Sequence, residues 1–144
     1  MRRSLKPEDL GDLLAQGRCA ILATRFRNGK TLLSPVWHEW RDGGFTVFVA
    51  VGDIKLRHIE RNPQVSILVA EDPPPYRGLE VRGEAKVVQS DVRAGLHRMA
   101  VRYLGAAQAA AFMEGYGDTP TACLRIEPGQ LRAWDFSDEF GSMG

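Results

Sequence analysis

The sequence predicts a mainly β domain with some helix: a closed or split β-barrel of six to seven antiparallel strands, with its helices packed outside. Three observations carry that expectation. Seven stretches of strand character follow one another, several joined by tight turn signals such as Asn28-Gly29, Asp42-Gly43-Gly44 and Pro128-Gly129. Helical periodicity is confined to a few pieces, near residues 7, 54 and 90. The length, 144 residues, suffices for one proper core and is too short for two, so residues 1–144 read as a single domain.

Pro7 opens a short amphipathic helix over 7–16, with Glu8 and Asp9 in its first turn, Leu10, Leu13 and Leu14 on one face, and a stop near Gly17. Residues 18–26 form the first strand, which includes Cys19. Asn28-Gly29 turns the chain into a second strand, Lys30 to Trp40. Pro35 inside it cannot donate to a ladder, which places that position on an edge or at a bulge. The third strand, Phe45 to Val51, is apolar on both faces and needs cover from the barrel core on one side and from a helix or second subunit on the other. Asp53 then caps a helix over 54–61 that ends at Asn62-Pro63. Its first turn carries Lys55 and Arg57, and the free N–H groups of a helix start favour a phosphate.

Strand four runs from Gln64 to Glu71, and Asp72-Pro73-Pro74-Pro75-Tyr76 is a stiff connection. Strand five, Leu79 to Val88, turns Leu79, Val81, Ala85 and Val87 inward and Glu80, Arg82, Glu84 and Lys86 outward, with Gly83 marking a bend or a close backbone approach. Residues 90–105 set Val92, Leu96, Met99, Ala100, Tyr103 and Leu104 at helical spacing behind Ser90-Asp91, and the Ala-rich stretch 106–114 continues or restarts that helix. Thr121 to Glu127 and Leu131 to Phe136 are the last strands, and the polar tail from Ser137 is expected to fray.

Composition narrows the function classes. A net charge of +1, with 15 Arg and 4 Lys scattered along the chain, argues against a nucleic-acid stripe. The longest apolar run, Phe45 to Val51, is far below the roughly 20 residues that span a bilayer, and the charged start lacks the apolar core of a signal peptide, so the expected location is the cytoplasm. Cys19 and Cys123 read as buried free thiols, and His38, His58 and His97 lack metal-ligand spacing. There is no phosphate loop, no nucleophile elbow and no dinucleotide fingerprint after a strand. The absence of an evident acid, base or nucleophile suits hydride transfer, where a cofactor carries the chemistry, and suits a non-enzyme equally.

Residues 19–88 resemble the pyridoxamine 5'-phosphate oxidase-like FMN-binding split barrels, and more closely the branch that binds the deazaflavin coenzyme F420. The matching stretches are Ala20-Ile21-Leu22-Ala23-Thr24, Asn28-Gly29 followed by Ser34-Pro35-Val36-Trp37, Phe45-Thr46-Val47-Phe48, the run from Lys55 to Ile67, and Val81-Arg82-Gly83-Glu84-Ala85. The resemblance implies a homodimer with cofactor in a groove between two barrels. It implies that Ser34, Pro35, Val36 and Trp37 border the ring and ribityl chain, that Val49, Ala50 and Val51 pass beside it, and that Lys55 with Arg57 holds phosphate. Val51-Gly52-Asp53-Ile54 departs from the family, because an acid stands where many relatives place hydroxyl residues. Asp53 caps the helix but could repel a phosphate.

The reading that follows is an oxidoreductase moving hydride between coenzyme F420, or alternatively FMN, and a small organic molecule. A cofactor-binding or carrier protein without turnover is the alternative. A true pyridoxamine phosphate oxidase ranks third, since its substrate-phosphate residues are not identifiable in the last third of the chain. A haem-handling relative, with His38, His58 or His97 as ligands, stays open. Of Trp37 and Trp40, which have opposite parity, one is expected in the core and the other on a groove. Trp134 and Phe136 read as core or as a pocket or dimer wall. His38 reads as an exposed or satisfied side chain, and Arg25, Arg27, Tyr76 and Arg77 as surface groups or contacts to a polyanionic cofactor tail.

Overall fold

The computed structural model describes residues 1–140. Strands β1 (Arg2–Leu5), β2 (Ala20–Arg25), β3 (Thr31–Val36), β4 (Glu39–Arg41), β5 (Gly44–Ala50), β6 (Gln64–Ala70), β7 (Gly78–Val88), β8 (Thr121–Ile126) and β9 (Gln130–Asp135) are accompanied by helices α1 (Ile54–Arg61), α2 (Val92–Leu104) and α3 (Ala106–Tyr116). All pairings are antiparallel, in the order β3-β2-β6-β7-β8-β5-β4, with β9 also on β7 and β1 on β9. This is a split β-barrel. Its long strand β7 pairs with β6 through Glu84, with β9 through Arg82 and with β8 from Ala85 onward, so one strand joins the two halves. The handover falls at Gly83, where a Cβ would run into the Glu127 carbonyl oxygen, which is the close approach expected there.

Alternating residues of the strands fill the core. Leu22, Phe45, Val47, Ile67, Val69, Leu79, Val81, Leu124 and Ile126 are all buried. Asn28-Gly29 makes the β2–β3 hairpin, closed by the Phe26 N–H donating to the Lys30 carbonyl at 2.9 Å, and Pro35 lies on β3 at the end of the sheet path. Asp42 and Gly43 turn β4 into β5 with positive φ at both residues, 52° and 74°. The second face of β5 is covered by α2, where Gly95 leaves room for the Phe48 ring.

Nine strands replace the six to seven expected. The charged β1 has no apolar alternation and is held by pairing with β9 and by Arg2 on Asp135 at 3.0 Å. The stretch Lys30 to Trp40 is two strands: at Trp37 and His38 the chain leaves β2 and crosses to pair with β5. Residues 7–16 form two 3-10 turns, Pro7–Leu10 and Leu13–Ala15. Arg77 Nη1 takes the Leu10 carbonyl at 2.7 Å, the acceptor a continuing α-helix would need four residues on. Cys19 precedes β2 and is exposed, while Cys123 is buried as expected. Val87 is exposed rather than inward, because β7 runs past the barrel beyond the handover. Instead of fraying, Ser137–Glu139 forms a 3-10 turn whose Asp138 and Glu139 pair with the N-terminal amine; residues 141–144 lie outside the described part.

Candidate functional site

An apolar recess with a charge at its edge, a cleft of about 290 Å³, lies between β3, β5, the start of α1 and the α2–α3 pair. Pro35, Val36 and Trp37 come from the end of β3, Phe48, Val49 and Ala50 from β5, and Leu96, Met99, Phe112 and Tyr116 from the two helices. Six of the residues expected at a cofactor site thus meet here: Pro35, Val36, Trp37, Val49, Ala50 and Lys55. Ser34 is buried on the adjacent strand position and does not line the cleft, and Val51 stands exposed at its rim turn. Arg57 lies elsewhere. Two residues on from Lys55 in a helix, it is rotated about 200° away and lines a different depression with Phe26, Arg27, Asn28, Ile54, His58 and Arg61.

One wall is aromatic. Trp37 stacks on Tyr103 with ring centres 4.9 Å apart and meets Phe112 at 5.2 Å, and Phe112 in turn stacks on Tyr116 at 5.6 Å. Trp40 packs edge-on against core Phe45, so one tryptophan lies on the groove and the other against the core as expected, although the strand break between them, and not alternation along one strand, separates the two. The Tyr103 hydroxyl accepts the His38 backbone N–H at 2.9 Å and donates to the Arg18 carbonyl at 2.7 Å, which pins the stacked wall. In the sequence Tyr103 shows only the helical spacing of an amphipathic helix, with no sign of this role, and Phe112 and Tyr116 fall in the least patterned stretch of the chain.

Lys55 is the cleft's cation. Its ammonium lies 2.9 Å from Asp53 Oδ2, while Asp53 Oδ1 accepts the Lys55 backbone N–H at 2.8 Å and so caps α1. Burial works to raise the Asp53 carboxyl, but these two bonds from Lys55 outweigh it and hold the group below its ordinary value. The acid is therefore both the helix cap and the present partner of the cation.

No histidine lines the cleft. His38 is fully buried behind the aromatic wall, against Phe45 and Tyr103, and neither ring nitrogen has a hydrogen-bond partner among the described residues, contrary to the expectation of an exposed or satisfied group. Burial, helped by the Arg102 charge, pushes its imidazole down to about 4. His58 is buried beneath α1, with Nδ1 2.9 Å from Thr24 Oγ1. Arg77 does not reach outward: it grips the buried Glu71 with Nε–Oε1 2.7 Å and Nη2–Oε2 2.8 Å. Trp134 lies over Gly78 under Arg132, and Phe136 meets Tyr76, both away from the cleft. Among the described residues no His, Cys, Asp and Glu side chains group as metal ligands, and no helix is long and apolar enough to cross a membrane.

Residues 7–135 match the pyridoxamine 5'-phosphate oxidase family model, and the chain belongs to that family. No curated protein matches it. Among solved structures it is similar to a conserved hypothetical protein from Mycobacterium tuberculosis, at 23% identity and TM-score 0.77 over 97% of this chain and 91% of that one. It is similar to an F420 reductase, at 25% identity and TM-score 0.70 over 88% of this chain and 98% of that one. HutZ, the heme storage protein from Vibrio cholerae, shares 20% identity and a TM-score of 0.66 over 87% of this chain and 92% of that one.

Proposed function

We propose that the protein binds a reduced deazaflavin or flavin, with coenzyme F420 preferred over FMN, and passes hydride from it to a small unsaturated or carbonyl-containing molecule. The observation that carries this reading is the meeting of Pro35, Val36, Trp37, Val49, Ala50 and Lys55 in one cleft whose other wall is a stack of aromatic rings. A planar ring fits such a wall, and Lys55 supplies charge for a phosphate. Ser34 supports the strand behind the ring. The cofactor supplies the hydride; the chain binds it, orients one ring face and keeps water from the other.

At about 290 Å³ the cleft lies just below the ~300–1,000 Å³ range of small-molecule sites, which favours completion by a second copy of the chain. An outward apolar patch supports a homodimer: Ile21 pairs with Pro35 and Leu68 across the ladders, Leu33 stands opposite Ala23, and Leu33 is 66% exposed. Pro35 belongs to both patch and cleft, so a partner seated there would close the site. The F420 reductase likeness favours the deazaflavin, and the absence of a histidine from the cleft lining weighs against haem ligation by His38, His58 or His97.

Turnover separates the enzyme from a carrier. Protein mixed with reduced F420, and separately with reduced FMN, is assayed against quinones, enones and nitro compounds. Cofactor oxidation that requires both protein and acceptor supports the reductase. Tight binding without oxidation across the panel would leave the carrier.

A further inference from the structure

We propose that the depression between the β2–β3 hairpin and the far side of α1 is a second anion site, which takes the phosphoryl group of a small phosphate-bearing molecule independently of the cleft. Phe26, Arg27 and Asn28 line it from the hairpin, and Arg57, His58 and Arg61 from the helix. It is the larger space, about 560 Å³, and no carboxylate lines it.

The arginine pairing sets it apart. Of 15 arginines, twelve have a side-chain partner among the described residues, and only Arg3, Arg27 and Arg57 have none. Two of those three face this one depression. The third guanidinium, Arg61, is already positioned by donating to the Arg25 carbonyl. Three cations sharing a recess repel one another unless an anion joins them, and the planar fork of guanidinium matches phosphoryl oxygens two at a time.

The neutral groups are also arranged. Asn28 Oδ1 accepts the Lys30 N–H at 3.0 Å, which fixes the side chain and leaves its N–H2 as the available donor. The Thr24 hydroxyl engages His58 Nδ1 at 2.9 Å, and the other ring nitrogen makes no hydrogen bond among the described residues. His58 is only 4% exposed, so its imidazole is a nearly buried polar group at the floor of the recess with one nitrogen unused. A tetrahedral dianion would find guanidinium forks above and N–H donors beside it. Lys55 faces the cleft across α1, so two sites on opposite flanks of one helix fill separately.

The test is calorimetric titration of the full chain with inorganic phosphate and with pyrophosphate, for wild type, Arg27→Ala, Arg57→Ala, Arg57→Lys and Lys55→Ala. Phosphate is expected to keep one binding event in Lys55→Ala, where the cleft has lost its own cation, and each alanine variant at the arginines is expected to weaken that event about tenfold or more, the loss of one charge-assisted contact. Arg57→Lys should fall between, keeping charge but losing the fork. Both arginines are exposed and unpaired, so melting temperatures should match wild type and exclude misfolding. Undiminished phosphate binding in both alanine variants, loss of binding in Lys55→Ala, or no binding to wild type would overturn the proposal. A weaker F420 titration in Arg57→Ala would also overturn it, by assigning the recess to the tail of the cleft's ligand. The phosphate event that remains in Lys55→Ala does not depend on whether the cleft holds a flavin.

Discussion

Asp53 and Lys55 define a competition at the residue scale. With the ammonium 2.9 Å from the carboxylate, a cofactor phosphate must share Lys55 or displace Asp53 from it. Asn caps a helix about as well as Asp, so Asp53→Asn should preserve α1 and tighten binding of a phosphate-bearing cofactor, by roughly tenfold if the repulsion removed is worth about 1.4 kcal/mol. Unchanged or weaker affinity would show that the acid does not oppose the phosphate. Tyr103→Phe is a second test. It keeps the ring stacked on Trp37 but removes the acceptor of the His38 N–H and the donor to the Arg18 carbonyl. A loss of about 1–3 kcal/mol of stability is expected in denaturant titration, with cofactor affinity reduced as the wall loosens.

At the scale of elements, Arg77 ties the β6–β7 loop to the first 3-10 turn. Its guanidinium holds Glu71 in a two-point pair and also takes the Leu10 carbonyl and Asp12 Oδ1 at 2.7 and 2.8 Å. Arg77→Ala leaves Glu71 buried without its partner, and a loss of about 3–5 kcal/mol in thermal or denaturant unfolding is expected. A loss under 1 kcal/mol would mean that the pair does not hold the loop. This element also shows what the sequence could reveal. The hairpins were legible because Asn28-Gly29 and Asp42-Gly43-Gly44 are local signals, and α1 because Asp53 and Pro63 bracket it. The 3-10 turns, the break at Trp37 and His38, and strand β1 were not, because each is fixed by a distant partner: Arg77, Tyr103 and β9 respectively. The site divides in the same way. Lys55 and the Pro35 to Trp37 segment carry local motifs, and the two-residue spacing of Lys55 and Arg57 in a helix already places them on different flanks, whereas the positions of Phe112 and Tyr116 depend on packing.

For the whole molecule, buried titratable groups set the response to acid. The His38 imidazole titrates near 4 in the folded state against 6.5 when free, so the unfolded chain binds more protons between those values and stability falls as pH drops from about 6.5 toward 4. The full shift corresponds to a loss on the order of 3 kcal/mol. Glu71 acts in the same direction at lower pH: its bonds from Arg77 depress its pKa below the ordinary 4.5, and the stability they give is lost as pH falls through the folded value. Melting temperature should therefore fall from pH 7 to pH 4. His38→Leu, which removes two buried nitrogens without partners, should flatten the upper part of that fall at little cost at pH 7. An identical pH profile in this variant would show that His38 does not set the acid response.

The proposed function places a phosphate-bearing flavin or deazaflavin in one cleft with Lys55 at its edge. The most direct test is fluorescence titration of dialysed wild type and Lys55→Ala with F420 and, separately, with FMN. Saturable binding to wild type is expected, tighter for F420, with a loss of about tenfold or more in the variant and its melting temperature unchanged. Equal affinities in the two proteins, or binding of neither cofactor to wild type, would contradict it.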